Sequence, residues 1–137
     1  MPFCHANGLR FHYQQAGAGP DVVLVHGVTG DLSIWFLCKA LQTLSARYRV
    51  TAFDLRGHGY SDAPADKYTS ADHAADLFAL MDELGIERTT VAGHSFGGVI
   101  ALHAAVLAPE RVDAVICSDP YFPALRHTTA GRSPSAS

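Results

Sequence analysis

The stretch Val91-Ala-Gly-His-Ser-Phe-Gly-Gly98 decides the fold. A short apolar run meets a turn in which Gly93 and Gly97 flank Ser95, and a second apolar run then begins. This order predicts a strand, a sharp turn and a helix. The flanking glycines are expected because strand and helix pack closely there. Such a turn strains the backbone of Ser95 and exposes its hydroxyl at the start of the helix, where the helix dipole favours negative charge.

Two earlier segments resemble the ends of buried strands. The first is Asp21-Val-Val-Leu-Val-His26-Gly27, an aliphatic run that ends in His-Gly. The second is Val50-Thr-Ala-Phe-Asp54-Leu-Arg56-Gly57-His58-Gly59-Tyr60-Ser61, an apolar run that leads into a glycine-rich loop. Continuous apolar runs of this length are typical of strands covered on both faces.

Apolar spacing along the chain predicts alternating strands and helices. The strands are predicted at 9–14, 22–25, 50–53, 90–92 and 113–117, and the helices at 33–45, 70–84 and 99–107. Thr69 and Asp72 form a capping-box pattern before the second of these helices, and Gly85 supplies its stop signal. The alternation indicates an α/β fold, with a mostly parallel sheet and helices on both faces. Only the first strand, where apolar and polar residues alternate, is expected to be antiparallel.

Composition indicates one folded domain. The chain has 137 residues, of which 48% are hydrophobic and 17% charged, and its formal net charge is −3. That small charge gives no reason to expect nucleic acid or a membrane surface as a partner. Cys4, Cys38 and Cys117 lie far apart, which argues against a disulfide framework or a zinc site and favours the cytoplasm. We expect no signal peptide, membrane span, metal or nucleotide cofactor.

These motifs together resemble the α/β-hydrolase family, over about residues 3–123. The resemblance is carried by His26-Gly27, by the Asp54–Ser61 loop and by the Gly93–Gly98 turn, and it favours the esterase, lactonase and haloperoxidase branches. It implies that 1–123 forms the N-terminal part of such a domain, with the late strands of the family missing. It also implies that Ser95 is a nucleophile toward a small acyl substrate. The backbone N–H groups of Val28 and Phe96 would form the oxyanion hole.

A serine nucleophile needs an adjacent base. The resemblance implies the chain order serine, acid, histidine. Asp119 and His127 are the pair that could keep this order, although Asp119 could equally cap the last strand and His127 could lie in solvent. Segment 124–137 lacks apolar periodicity and is expected to be a disordered tail.

Other residues of interest have structural alternatives. Trp35, Tyr121 and Phe122 are candidates for a substrate pocket, with core packing equally plausible for each. His26 is expected to form local hydrogen bonds, and His94 to pack under the turn. Arg56 is expected to fix its loop through hydrogen bonds to backbone or to an acid.

Two hypotheses remain open from the sequence. The first is a serine hydrolase that acts on esters, thioesters or lactones through an acyl-Ser95 intermediate, with its activity impaired by the absence of the usual acid and base. The second is a non-catalytic fragment that serves as a binding or assembly module. In the second case the last predicted strand would expose a sheet edge and favour self-association.

Overall fold

Six strands form one mixed sheet in the computed structural model, which describes residues 2–118. The order across the sheet is β1-β2-β4-β3-β5-β6, where the first two strands are antiparallel to their neighbours and the last four are parallel. The strand bounds are β1 Phe3–Ala6, β2 Leu9–Ala16, β3 Asp21–Val25, β4 Arg49–Phe53, β5 Thr89–His94 and β6 Val112–Ser118. The predicted α/β class and mostly parallel sheet are therefore confirmed.

Strand β1 was not predicted from the sequence. It pairs with β2 in a hairpin whose turn is Asn7-Gly8, with φ angles of 50° and 76°. Positive φ at both central residues is what a type I′ turn requires, and Asn-Gly is the sequence that suits it best. The dipeptide was therefore the signal for this strand.

Helices cover both faces of the sheet, as expected. Their bounds are α1 Ile34–Leu37, α2 Ala40–Leu44, α3 Ser70–Leu84 and α4 Phe96–Leu107. One apolar cluster contains side chains of α3 and α4 packed against Val23, Val25 and Val91. A second cluster on the opposite face contains Trp35 and Leu41 with Val22, Leu24, Val50 and Ala52.

The single helix predicted for residues 33–45 is wrong, because two short helices lie there. Lys39 has a φ of 64°, in the left-handed region, and separates α1 from α2. This break shifts the helical phase. Leu37, which the apolar spacing placed toward the core, is 77% exposed, while Trp35 is buried.

Helix α3 begins and ends where its capping signals predicted. The Thr69 hydroxyl accepts the backbone N–H of Asp72, and the Asp72 carboxylate accepts that of Thr69. Gly85 ends the helix with a φ of 70°. Helix α4 begins at Phe96, three residues before the predicted start, because the chain turns directly from β5 into the helix.

Strand β6 forms one edge of the sheet within residues 2–118. Its ladder with β5 is parallel and extends from Val112 to Ser118, and Ile116 is 58% exposed. Val106 and Leu107 of the neighbouring helix α4 are also exposed, at 78% and 54%. An apolar edge of this kind is able to pair with a further strand. The predicted boundary at residue 123 and the predicted tail 124–137 lie outside the described residues.

Candidate active site

Ser95 occupies the turn between β5 and α4 in a strained backbone conformation. Its φ is 57° and its ψ is −122°, a combination that non-glycine residues rarely adopt. The turn is held on both sides, because the Ser95 N–H donates to the Ser118 carbonyl at 2.9 Å and its carbonyl accepts the Gly98 N–H at 2.9 Å. The residue is half-buried, so its side chain stays accessible.

Glycine at positions 93 and 97 follows from how closely the chain segments approach. A Cβ on Gly93 would collide with the backbone of Gly97, and one on Gly97 would collide with the carbonyl oxygen of Val25. Neither neighbour is a flexible side chain, so neither has an easy way to move. The turn therefore brings α4 against the end of β3.

A cavity of about 240 Å³ opens beside Ser95. Its lining comes from the segments that follow β3 and β5, which are neighbours in the sheet. Helices α1 and α2, which follow β3, cover one face of the sheet, and α3 and α4, which follow β4 and β5, cover the other. The connections therefore diverge at the ends of β3 and β5, and ligand sites in α/β folds form at such points. The lining residues are His26, Gly27, Thr29, Gly30, Ile34, His94 and Ser95.

Two backbone N–H groups, those of Val28 and Phe96, belong to the segments beside Ser95. Residues 27–30 form a tight turn closed by a hydrogen bond of 3.2 Å from the Gly30 N–H to the Gly27 carbonyl, and Val28 lies at its second position. A Cβ built on Gly27 would lie 3.2 Å from Ser95 Cβ, so this turn packs directly against the serine. Within residues 2–118, neither Val28 nor Phe96 donates its N–H to another protein group.

His26 has both ring nitrogens occupied in supporting this turn. Nδ1 lies 2.5 Å from the Gly27 carbonyl oxygen, and Nε2 accepts the Leu55 N–H at 3.0 Å. Burial lowers the pKa of His26, which keeps the ring neutral with its proton on Nδ1. The expected local hydrogen-bonding role is confirmed, and the ring is not available to deprotonate Ser95.

No imidazole among residues 2–118 hydrogen-bonds to the Ser95 hydroxyl. His58 directs Nε2 to the Val28 carbonyl at 2.7 Å and Nδ1 to the Arg56 carbonyl at 2.9 Å. His73 is buried with its ring edge against Phe96. His94 is also among the residues that line the cavity. Its half-buried position at the last residue of β5 brings it to the cavity wall.

A buried ion pair between Arg56 and Asp76 holds the glycine-rich loop in place, which is the role expected for Arg56. The guanidinium forms a bidentate pair with the carboxylate at 2.6 and 2.8 Å, and it also donates to the Lys67 carbonyl at 2.8 Å. This carboxylate raises the pKa of Arg56 further. Asp54, which is also buried, accepts the N–H groups of Leu32 and Tyr60 and thereby links the loops that follow β3 and β4.

Trp35 does not line the cavity. Its side chain packs in the core cluster beneath α1, and the adjacent Ile34 lines the cavity instead. Because consecutive residues of a helix lie about 100° apart around its axis, Ile34 and Trp35 face different directions. Of the other candidates, Tyr121, Phe122, Asp119 and His127 lie outside the described residues.

The contacts between loops were not predicted from the sequence. Nothing local indicated that Thr29, Gly30 and Ile34 would line the cavity or that His58 would reach the Val28 carbonyl, 30 residues away. The only signal was that the loops follow neighbouring parallel strands. Over residues 2–118, no cluster of three candidate metal ligands is present, and no helix has the length and hydropathy needed to cross a membrane.

Comparisons with known proteins agree with this geometry. Residues 20–134 match the family model for the alpha/beta hydrolase fold. The chain is 36% identical over 116 residues to an epoxide hydrolase 3 of Siraitia grosvenorii, which covers 82% of this chain and 36% of that protein.

Solved structures give the same result. An enol-lactonase from Burkholderia xenovorans LB400 has a TM-score of 0.79 and 35% identity, covering 83% of this chain and 45% of that one. An epoxide hydrolase from Vigna radiata has a TM-score of 0.82 and 29% identity, covering 93% and 45%. The chain thus spans less than half the length of these relatives, and it belongs to the α/β-hydrolase family.

Proposed function

We propose that this chain supplies the nucleophile and oxyanion hole of a serine hydrolase that acts on an ester, thioester or lactone. The observation that carries the proposal is the strained backbone of Ser95, with a φ of 57°, at the N-terminus of the 12-residue helix α4. The Ser95 Oγ would give its proton to a base and add to the carbonyl carbon. The C–O or C–S bond of the substrate would then break, its alcohol or thiol would leave with that proton, and water would hydrolyse the acyl-serine to the acid and free Ser95.

The Val28 and Phe96 N–H groups are the proposed donors to the oxyanion. Supporting this, both lack a protein acceptor within residues 2–118, and the tight turn carrying Val28 packs against Ser95. The N-terminus of α4 adds favourable partial charge at the same place. Removal of one such donor typically lowers the rate by about 10²–10³.

The base is proposed to come from outside the described residues. His26 and His58 have both ring nitrogens occupied by other contacts. Asp119 and His127 are the pair in this sequence that keep the order serine, acid, histidine. A positioned base contributes about 10²–10⁴ to the rate, so we expect weak turnover unless such a base is held in place.

Ser95 lies in the turn of residues 93–98 between β5 and α4, called the elbow below, and as a nucleophile it favours carbonyl substrates over epoxides. Attack by a hydroxyl on an acyl carbon gives an ester that water can cleave, whereas attack on an epoxide would leave a stable ether on the serine. The enol-lactonase is therefore a better guide to substrate class than the epoxide hydrolases. The cavity of about 240 Å³ suits a small acyl group.

Labelling with an uncharged fluorophosphonate, followed by peptide mass spectrometry, tests the nucleophile. We expect slow modification at Ser95, abolished in Ser95→Ala and retained in Ser33→Ala, whose serine is exposed but has an ordinary φ of −63°. Equal labelling of Ser33 and Ser95 would contradict the proposal. Turnover of p-nitrophenyl acetate that His127→Ala abolishes would identify His127 as the base and overturn the expectation of weak activity.

The second candidate function is assembly through strand β6. It is supported by the unpaired edge within residues 2–118 and by the exposed Ile116. A second copy of the chain could extend the sheet at this edge without any chemistry at Ser95. Labelling separates the two functions, because an assembly module has no need of a reactive serine.

A further inference from the structure

His58 makes two contacts that a neutral imidazole cannot satisfy together. Its Nε2 lies 2.7 Å from the Val28 carbonyl oxygen, and its Nδ1 lies 2.9 Å from the Arg56 carbonyl oxygen. Carbonyl oxygens only accept hydrogen bonds, and a neutral imidazole has a single N–H. Both contacts are therefore hydrogen bonds only when His58 carries two protons.

The two histidines near His58 are neutral, so neither repels a positive charge on its ring. His26, at the end of β3, has its ring centre 5.2 Å away and is kept neutral by burial, which lowers its pKa. His73 of α3 is also neutral, because burial lowers its pKa to about 4.

The remaining charged and titratable groups do not oppose a cation. The guanidinium of Arg56 is neutralised by Asp76. Asp54 begins the same loop, and Tyr68 packs against Gly57. Asp72, at the start of α3, adds a second carboxylate on the side of His73.

The contact from His58 to the Val28 carbonyl lies next to the Val28 N–H, the proposed oxyanion donor. The N–H of Val28 belongs to the peptide unit whose carbonyl is that of Gly27, and His26 binds that carbonyl. The following peptide unit carries the Val28 carbonyl, which His58 binds. The two imidazoles thus hold both peptide units of Val28, and this fixes the direction of its N–H.

We propose that His58 is a positioning residue which, as an imidazolium, orients the Val28 N–H toward the oxyanion of an acyl substrate. This inference rests on the proposed function, in which the Val28 N–H donates a hydrogen bond to the oxyanion. When His58 loses a proton, one of its two nitrogens faces a carbonyl with a lone pair. The ring then satisfies only one of the two carbonyls and no longer joins the turn at residues 27–30 to the Arg56 carbonyl, so we expect the turn to be less ordered when His58 is neutral.

Nitrogen-15 relaxation of the full chain tests this when it is recorded at one pH where the ring resonances show His58 with two protons and at another where they show it with one. Ring resonances report the protonation of His58, and backbone order parameters report the turn. We expect the order of Val28 and Thr29 to fall as His58 deprotonates. In His58→Gln, whose amide can donate one hydrogen bond and does not titrate, their order should not depend on pH.

The matched control is His5→Gln, an exposed histidine on β1, which should behave as the unchanged chain. Resonance shifts at Val28 with constant order would reflect only the electric field of a nearby charge and would overturn the proposal. So would pH-dependent order that persists in His58→Gln. If that variant does not fold, the titration of the unchanged chain decides by itself.

A separate experiment measures the reactivity of Ser95. Fluorophosphonate labelling of Ser95 should slow on the order of tenfold in His58→Gln at a pH where the ring resonances of the unchanged chain show His58 with two protons, less than the 10²–10³ expected for loss of a whole donor. An unreactive Ser95 combined with a pH-dependent turn would count against the proposed hydrolase and still support the positioning role.

Discussion

Arg56 and Asp76 form a bidentate ion pair that lies beneath the glycine-rich loop, with side chains only 6% and 1% exposed. The pair joins the loop after β4 to helix α3. Asp76 also accepts the side-chain amide of Asn7 at 2.8 Å, which ties the β1–β2 hairpin to the same point. One carboxylate thus connects three segments that are distant in the sequence.

Replacing the Asp76 carboxylate should destabilise the fold strongly. Asp76→Asn leaves the Arg56 charge buried without a counterion, which should lower the free energy of unfolding by about 3–5 kcal/mol. Urea denaturation followed by circular dichroism measures the loss. The matched control is Asp82→Asn, since Asp82 pairs with Arg111 but is 66% exposed, and its change should stay below about 1 kcal/mol. Equal effects at the two sites would contradict the role given to the buried pair.

The two elbow glycines should not tolerate a methyl group. A Cβ at Gly93 or Gly97 meets backbone atoms that cannot rotate away, so alanine at either position should destabilise the fold by about 1–3 kcal/mol. Thermal and urea unfolding of the two variants provide the measurement. Gly30→Ala serves as the control, because its nearest neighbour would be 3.9 Å from the new Cβ, and we expect a change within about 0.5 kcal/mol. A loss at Gly30 as large as at Gly97 would argue against the steric explanation.

His73 should make the fold sensitive to acid. Burial lowers its pKa from 6.5 to about 4, so the folded state disfavours the proton that the unfolded chain accepts. The neutral ring therefore stabilises the fold above pH 6.5, and this contribution is lost as pH falls toward 4. His73→Phe keeps the aromatic contact with Phe96 and removes the titrating group.

Urea unfolding at a series of pH values checks this prediction. Between neutral pH and about pH 5, His73→Phe should lose less stability than the unchanged chain. Parallel pH dependences for the two proteins would show that His73 does not contribute.

The β6 edge should support self-association. We expect sedimentation velocity to show larger species as the protein concentration rises. Ile116→Lys places a charge on the edge and should shift the distribution toward monomer. Leu37→Lys alters a residue that is 77% exposed but distant from β6, and it should have no such effect. A monomer at every concentration would refute the prediction.

Local signals in the sequence predicted the elbow well, because its geometry depends on a few consecutive residues. Ser95 between two glycines, with an apolar run on either side, is sufficient to specify the turn. The capping residues Thr69 and Gly85 likewise act within one helical turn. These features were found without knowledge of the rest of the fold.

Contacts between loops could not be predicted in the same way. The hydrogen bond from His58 to Val28 depends on β3 and β4 being neighbours in the correct register. The break between α1 and α2 depends on the left-handed backbone of Lys39, a residue with no local preference for that conformation. Spacing of apolar residues assumes an unbroken helix, and with this interruption Leu37, which the spacing placed toward the core, is exposed.

The hydrogen bond from the Ser95 N–H to the Ser118 carbonyl means that both β5 and β6 hold the elbow in place. A shortened chain that ends before β6 would retain the serine, both glycines and α4, but the strained residue would lose its anchor. Any shorter form of the chain that keeps this hydrogen bond must therefore extend through Ser118. Recombination or gene fission that preserves the nucleophile would have to cut the chain beyond that point.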